Sequence, residues 1–587
     1  MKKLENFIKN HYLILLICLL LLLCIVIPLC SVQTFLGHDI YFHMTRMEAL
    51  AQEIEAGNIP ARLYYFVYDG YGYASPMFYG DLFLIIPSLL ILAGMPMPLA
   101  YKAFMIICVC ACVLMAYYCG RRMFNKKSSA VVFAFTYAVS SYFAVDVFTR
   151  AAIGEMQAFV FVPLAFLGLH SIINDEGKYW YYLPIGLAAV LFSHLITSVM
   201  TAVFLLVYAL IHSVKLVKNP KKIGAVAVCA LVFVLISASF LFPLLEQLKD
   251  TQFLATDGSS ATAFGTMEQR SMTVKQLFSL LNLNESREFW IPNGIGYLPI
   301  ILLVFRFVVL RKQKFCAGDG YLITSNLLLF MISDLFPWEK EFFQSLFGTI
   351  QFPWRIMLFA TLFLALAASD YCSRMEKQDA VTFVSLACVA GICAFGSVFI
   401  PRYNTYASYE KTGQQVTYYK GNNIGFNIGT GEYLPTGTNR GSLYNRGKVI
   451  KTDGTKKTFT QEKNGDMYIP IEYSENMGTY MDLPLIKYKG YTAVFTDKDG
   501  NEISLNTEYG ENNVLRVFLR DIKTDGTVYV TYSGTAIQHI SFWLNVCAVI
   551  LLAGWILYSR VIKDRKRYQE NSLVQVTEEL SEQQPAE

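Results

Sequence analysis

The chain has 587 residues, of which 54% are hydrophobic and 16% charged, and its formal net charge is +4. Soluble domains carry about 25% charged residues, so the composition excludes an ordinary soluble enzyme and points to a membrane protein. The small net charge gives no ground for a nucleic-acid partner.

Lys2, Lys3 and Lys9 precede an apolar run from Tyr12 to Pro28. The run is longer than a signal-peptide core and lacks a small-residue cleavage site, so it predicts an uncleaved first span. A crossing helix needs about 20 apolar residues. Runs at 11–33, 100–119, 129–147, 156–173, 180–194, 197–214, 223–243, 294–310, 320–336, 354–372, 380–400 and 538–559 predict about twelve spans.

Basic residues then fall in every second turn: Arg121, Arg122, Lys126 and Lys127; Lys178; Lys215, Lys218, Lys221 and Lys222; Arg311, Lys312 and Lys314; Arg374 and Lys377. The tail adds Arg560, Lys563, Arg565, Lys566 and Arg567. By the positive-inside rule both termini are cytoplasmic and the chain is a multi-pass protein of the plasma membrane.

Asp81 to Gly94 is short and ends in Met95-Pro96-Met97-Pro98. Counted as a span it would invert every later basic turn, so it reads as an interfacial helix on the outer surface. The first outer loop is then 34–99. His38 to Ala56 predicts a second surface helix in that loop, with Asp39, His43 and Arg46 on one face.

Residues 401–537 change character. Short alternating runs at 467–471, 491–495, 514–518 and 527–532 read as strands, punctuated by Asp-Gly or Asn-Gly at 453–454, 464–465, 499–500 and 525–526. All thirteen cysteines lie elsewhere, mostly in apolar runs, so this segment folds without disulfides. The fold expected is a polytopic α-helical membrane protein: a multi-span domain over 1–400, an extracytoplasmic β-sandwich-like domain over 401–537 between the last two spans, a last transmembrane helix at 538–559 and a cytoplasmic tail at 560–587. The β-rich domain would bind substrate or act as a lid.

Ionisable groups at the edge of a membrane are expensive and mark functional sites. Candidates gather at the predicted outer ends of the spans: His38, Asp39, His43 and Arg46 after the first, Arg150 and Glu155 between the third and fourth, His194 between the fifth and sixth, and Gln351 and Arg355 before the tenth. A carboxylate serves as a general base on a hydroxyl, the arginine fork suits a phosphate, and histidine bonds a phosphate oxygen or tunes a carboxylate. Each has a plainer use. Asp39 caps a helix start, Arg150 and Glu155 form an ion pair, His194 satisfies a turn, and Arg355 beside Trp354 anchors an interface. A divalent cation held by Asp39 and His43 is a further use of that pair, although two ligands make too few for a site. Tyr71, Tyr73 and Tyr79 belong to an aromatic loop that stacks on a sugar or lies at a membrane interface.

The first-loop acid after the first span, two helices in that loop, and Arg121-Arg122-Met123-Phe124 after the second span resemble the GT-C membrane glycosyltransferases. The strings Gly37-His38-Asp39 to His43, Gly70-Tyr71-Gly72-Tyr73, Phe78-Tyr79 and Gln351-Phe352-Pro353-Trp354-Arg355 resemble the 6-pyruvoyl-tetrahydropterin-synthase-related bacterial membrane proteins, a label uninformative about activity. Tyr488-Lys489-Gly490-Tyr491, Asp499-Gly500 and Glu432-Tyr433-Leu434-Pro435 are similar to the YfhO-like proteins, which are implicated in glycosylating envelope polymers. The likeness implies transfer of a sugar, with inversion, from a polyprenyl-phosphate donor to an envelope glycan or protein. It makes Asp39 the base and Arg150, His194 and Arg355 the holders of the lipid phosphate. The first loop has no Asp-x-Asp, which puts a metal-dependent donor site in doubt. Two other functions compete: a transporter or flippase for a lipid-linked glycan, which internal repeats and midplane polar residues would mark, and a non-enzymatic envelope assembly protein, in which Asp39 is dispensable.

Overall fold

The computed structural model describes residues 37–124, 126–257, 266–278, 294–411, 428–444 and 450–582, with a few positions before 37. Apart from those few positions, the predicted first span at 11–33 lies outside the described residues. Each of the other predicted runs falls on a helix or a bent helix pair, from Met97–Met123 to Ala536–Glu582. Met97–Met123, Ile153–Asn174, Pro353–Arg374, Asp379–Val398 and Ala536–Ser559 are long and apolar enough to cross a membrane. Two bent pairs, Lys127–Ala138 with Ser141–Arg150 and Pro220–Ile236 with Ala238–Asp250, raise that number to seven if each is one span. Tyr182–Ser193, Leu195–Ile211, Leu298–Val308 and Ala317–Ile332 are shorter apolar helices. Helix Lys377–Lys411 continues past residue 400.

The helix Ile40–Glu55 does not lie on the surface. Ile40, Met44, Met47 and even Arg46, Glu48 and Glu53 are buried. Its polar side chains reach neighbouring segments: Arg46 Nη2 donates to the carbonyls of Tyr79 and Gly80 at 2.9 and 2.7 Å, and Glu53 accepts from Asn58 Nδ2 and from the Tyr65 N–H at 2.7 Å each. A buried charge that finds such partners avoids most of its desolvation cost. The helix packs on Ile85–Leu92, where Ser88 Oγ donates to the Met47 carbonyl at 2.8 Å.

Among the described residues, nine strands lie between helix Lys377–Lys411 and the last helix Ala536–Glu582: β1 (Lys451–Thr452), β2 (Thr460–Gln461), β3 (Met467–Ile471), β4 (Tyr480–Ile486), β5 (Tyr491–Asp497), β6 (Glu502–Leu505), β7 (Thr507–Tyr509), β8 (Val514–Phe518) and β9 (Gly526–Tyr532). They form two antiparallel sheets, in the orders β1-β4-β8-β7 and β2-β3-β9-β5-β6. Gly500 at φ +88° turns the chain between β5 and β6, as the Asp-Gly pair predicts. The β-rich part docks on the 64–79 loop, through the segment 428–444 that precedes the strands, and on helix Ala238–Asp250. The Tyr433 N–H donates to Tyr73 Oη at 3.0 Å, the Tyr433 ring stacks on Phe78 at 5.1 Å, and Gln247 Nε2 donates to the Lys489 carbonyl at 2.7 Å.

Candidate active site

Asp39 stands at the start of helix Ile40–Glu55 because the chain before it is pinned to the turn at 149–151. The N–H groups of His38 and Asp39 donate to the carbonyls of Thr149 and Arg150 at 3.3 and 2.8 Å. Gly37 permits the approach: a Cβ there would lie 2.3 Å from Ala151 Cβ. The side chain of Asp39 does not cap its helix, and its carboxylate has no partner among the described residues. Arg150, Arg355, Glu155 and Glu432 are the charged groups whose fields reach it. Desolvation by burial pushes its carboxyl above the ordinary value, against the pull of Arg150 and Arg355.

Arg150 and Arg355 differ in their partners. Arg150 Nη1 donates to Asp146 Oδ1 at 2.5 Å and to Glu155 Oε2 at 2.6 Å, and Tyr142 Oη donates to Glu155 Oε1 at 2.5 Å. The guanidinium also lies over the Trp354 ring, 4.5 Å from its centre. Arg150 is thus bound by two carboxylates of its own segment. Asp146 was missed, although its i, i+4 spacing to Arg150 is a readable ion-pair signal. Arg355 Nη1 instead donates to the Ile350 carbonyl at 3.0 Å and to Gln351 Oε1 at 2.8 Å. Its Nε is buried without a hydrogen bond, and Glu155 Oε2 stands off at 3.8 Å.

His194 caps helix Leu195–Ile211. The Thr197 N–H donates to its Nδ1 at 3.3 Å, and Thr197 Oγ1 lies 2.7 Å from the same nitrogen. A neutral ring that accepts at Nδ1 carries its proton on Nε2. Tyr79 links this histidine to the first helix: its ring is 5.6 Å from His194 and 6.1 Å from His43, and the Arg46 guanidinium lies over it at 4.2 Å. His43 is buried, its Nδ1 has no hydrogen bond, and burial together with Arg46 holds its pKa well below the ordinary value. Gly154 keeps room for Tyr79, since a Cβ there would lie 2.0 Å from Tyr79 Oη.

Of the three tyrosines expected to stack on sugar, Tyr79 borders the site. Tyr73 does not. It is fully buried between Tyr68 and Tyr433, with ring centres 5.3 and 5.9 Å away, so no sugar reaches its faces. Tyr71 lies on the β-strand side, where its carbonyl accepts from the Ile486 N–H at 2.8 Å. Arg46 ties the helix to residues 79–80 and serves as a brace. Asp39 and His43 offer two donors, and among the described residues no third His, Cys, Asp or Glu joins them in a metal-binding group. These two residues alone do not fit a metal centre.

An apolar cleft of about 730 Å³ lies on the other side of segment 79–81, lined by Leu50, Ile54, Leu89, Ala188, Phe192 and Val549. Gly80 packs against Phe192 at the seam, where a Cβ would lie 2.4 Å from the Phe192 carbonyl oxygen.

The profile of the family described as Bacterial membrane protein YfhO matches residues 66–422. An uncharacterized protein of Lactococcus lactis subsp. cremoris (strain MG1363) is 22% identical over 624 aligned positions, covering 96% of this chain and 98% of its own. Among solved structures, the arabinofuranosyltransferase AftD from Mycobacteria is similar at a TM-score of 0.38 and 13% identity, over 69% of this chain and 27% of that one. The archaeal oligosaccharyltransferase AglB from Archaeoglobus fulgidus is similar at a TM-score of 0.34 and 12% identity, over 71% of this chain and 61% of that one. The chain thus spans less than two thirds of the length of either.

Proposed function

This chain belongs to the YfhO family of bacterial membrane proteins, and we propose that it is a membrane glycosyltransferase that moves a sugar from a polyprenyl-phosphate donor to a cell-envelope acceptor on the outer face of the membrane. The observation that carries the reading is the open carboxylate of Asp39, at a helix start, within the fields of Arg150 and Arg355.

In this reaction Asp39 takes the proton of an acceptor hydroxyl. The hydroxyl oxygen bonds to the anomeric carbon. The bond from that carbon to the phosphate oxygen breaks, and its electron pair stays on the phosphate. Arg355, held by Gln351 and with Nε unbonded, stabilises the charge that collects there. His194 donates from Nε2, and Tyr79 presents a ring to the sugar. Arg150 with Asp146 and Glu155 forms the rigid floor beneath Asp39. The apolar cleft between helix Ile40–Glu55 and the last helix suits the prenyl chain.

The test is transfer of radiolabelled sugar from a panel of polyprenyl-phosphate donors into envelope fractions, with membranes that contain or lack the chain. Chain-dependent incorporation from at least one donor is expected. Equal incorporation in both membranes for every donor overturns the proposal.

A further inference from the structure

The motif Gln351-Phe352-Pro353-Trp354-Arg355 carries more arginine than its own. Phe352 and Trp354 stack with ring centres 4.6 Å apart. Arg150 lies over Trp354, and two guanidiniums lie over Phe352: Arg355 and Arg270, each 5.2 Å from its centre. Gln351 holds both of the latter. Its side-chain Oε1 accepts from Arg355 Nη1 at 2.8 Å, and its carbonyl accepts from Arg270 Nη1. It does so from a left-handed backbone at φ +65°, which costs a non-glycine residue free energy and persists only where neighbours enforce it.

Arg270 is 5% exposed and Arg355 is 8% exposed. The segment bearing Arg270 is fixed to 332–334: the Met272 N–H donates to the Ile332 carbonyl at 3.0 Å, and the Asp334 N–H to the Met272 carbonyl at 2.8 Å. Two like charges gathered on one ring oppose each other. Each lowers the other's preference for charge, and a shared anion reverses that cost. The unbonded Nε of Arg355 leaves a donor for that anion.

We propose that Arg270 and Arg355 together clamp the lipid phosphate, and that Arg270 matches the second negative charge, which the phosphate gains only as the sugar leaves. The inference rests on the transferase reading above. A polyprenyl-phosphate sugar is a diester with one negative charge. When its anomeric C–O bond breaks, the electron pair remains on the phosphate, and the product monoester carries a charge between −1.5 and −2 near neutral pH, an approximate range. Arg355 alone balances the diester. The second guanidinium acts on the charge that develops, which is where an interaction raises turnover rather than ground-state affinity.

Binding of decaprenyl phosphate and of its glucosyl diester to the full chain in nanodiscs separates these roles. Arg270→Gln should weaken the bare monoester by about tenfold or more while changing the diester by less than about threefold. In transfer, kcat should fall more than KM for the donor rises. Arg270→Lys keeps the charge and loses the fork. It should lie between the two and shows that any loss is not misfolding, as do equal melting temperatures of all three proteins. Unchanged monoester binding in Arg270→Gln overturns the clamp, and equal weakening of both lipids overturns the second-charge role. A wild-type chain that binds the monoester through Arg270 yet transfers no sugar leaves the clamp standing and removes the transferase reading. Failure to bind either lipid removes both.

Discussion

Two arginines on either side of one aromatic stack show how much a residue's neighbours decide. Arg150 on Trp354 and Arg355 next to Phe352 are both buried, and both stood out as candidate phosphate holders. Arg150 is locked by Asp146 and Glu155 at 2.5 and 2.6 Å. Arg355 leans on a carbonyl and an amide oxygen, with its nearest carboxylate at 3.8 Å. A buried guanidinium already matched by carboxylates gains little from a further anion. One held by neutral groups still has charge to offer.

The largest expected effect breaks the Arg150 side of this contrast. Glu155→Gln leaves a buried charge short of its partner and should cost about 3–5 kcal/mol of stability, read from thermal unfolding in detergent. A change below about 1 kcal/mol would mean that Arg150 is as loosely held as Arg355.

One carboxylate of helix Ile40–Glu55 sharpens the same point. Glu53, bonded to Asn58 and Tyr65, has its pKa raised to about 7 from 4.5, first by desolvation on burial. Because its folded value lies above its unfolded one, its contribution to stability is complete below pH 4.5 and is lost as pH rises through about 7. The loss is on the order of 3 kcal/mol. Melting temperature against pH between these limits should slope downward in the wild type and less so in Glu53→Gln. Parallel curves would show that Glu53 is not held neutral by its site.

On the Arg355 side the effect on stability is smallest. Gln351→Ala removes one hydrogen bond and should cost about 1 kcal/mol or less. Transfer should fall by about tenfold, because Arg355 loses its aim. A large loss of stability with unchanged turnover would make Gln351 a structural residue only.

The local patterns were readable and the distant pairings were not. Apolar runs announce helices, and strands at 467–471 and 514–518 follow from alternation between Asp-Gly or Asn-Gly turns. Strand Tyr480–Ile486 escaped notice because Asp482 and Pro484 interrupt it. Asp482 is buried there by a two-pronged pairing with Arg516 at 2.6 and 2.9 Å, which no single-strand pattern reveals. Helix Ile40–Glu55 reads as a surface helix because Asp39, His43 and Arg46 share one face, yet Arg46 is received by backbone carbonyls of another segment. Arg270 meets Gln351 across 81 residues of chain, and nothing near it in sequence marks it. Tyr73 repeats the spacing of its neighbours, and packing between Tyr68 and Tyr433 sets it apart from Tyr79.

Asp39→Asn gives the most direct measurement. The substitution keeps the size of the side chain and removes only the base. Since the carboxylate has no partner among the described residues, the variant should melt with the wild type. Its transfer of labelled sugar to envelope acceptor should fall by about a hundredfold or more. Full transfer by a stable Asp39→Asn protein would contradict the account.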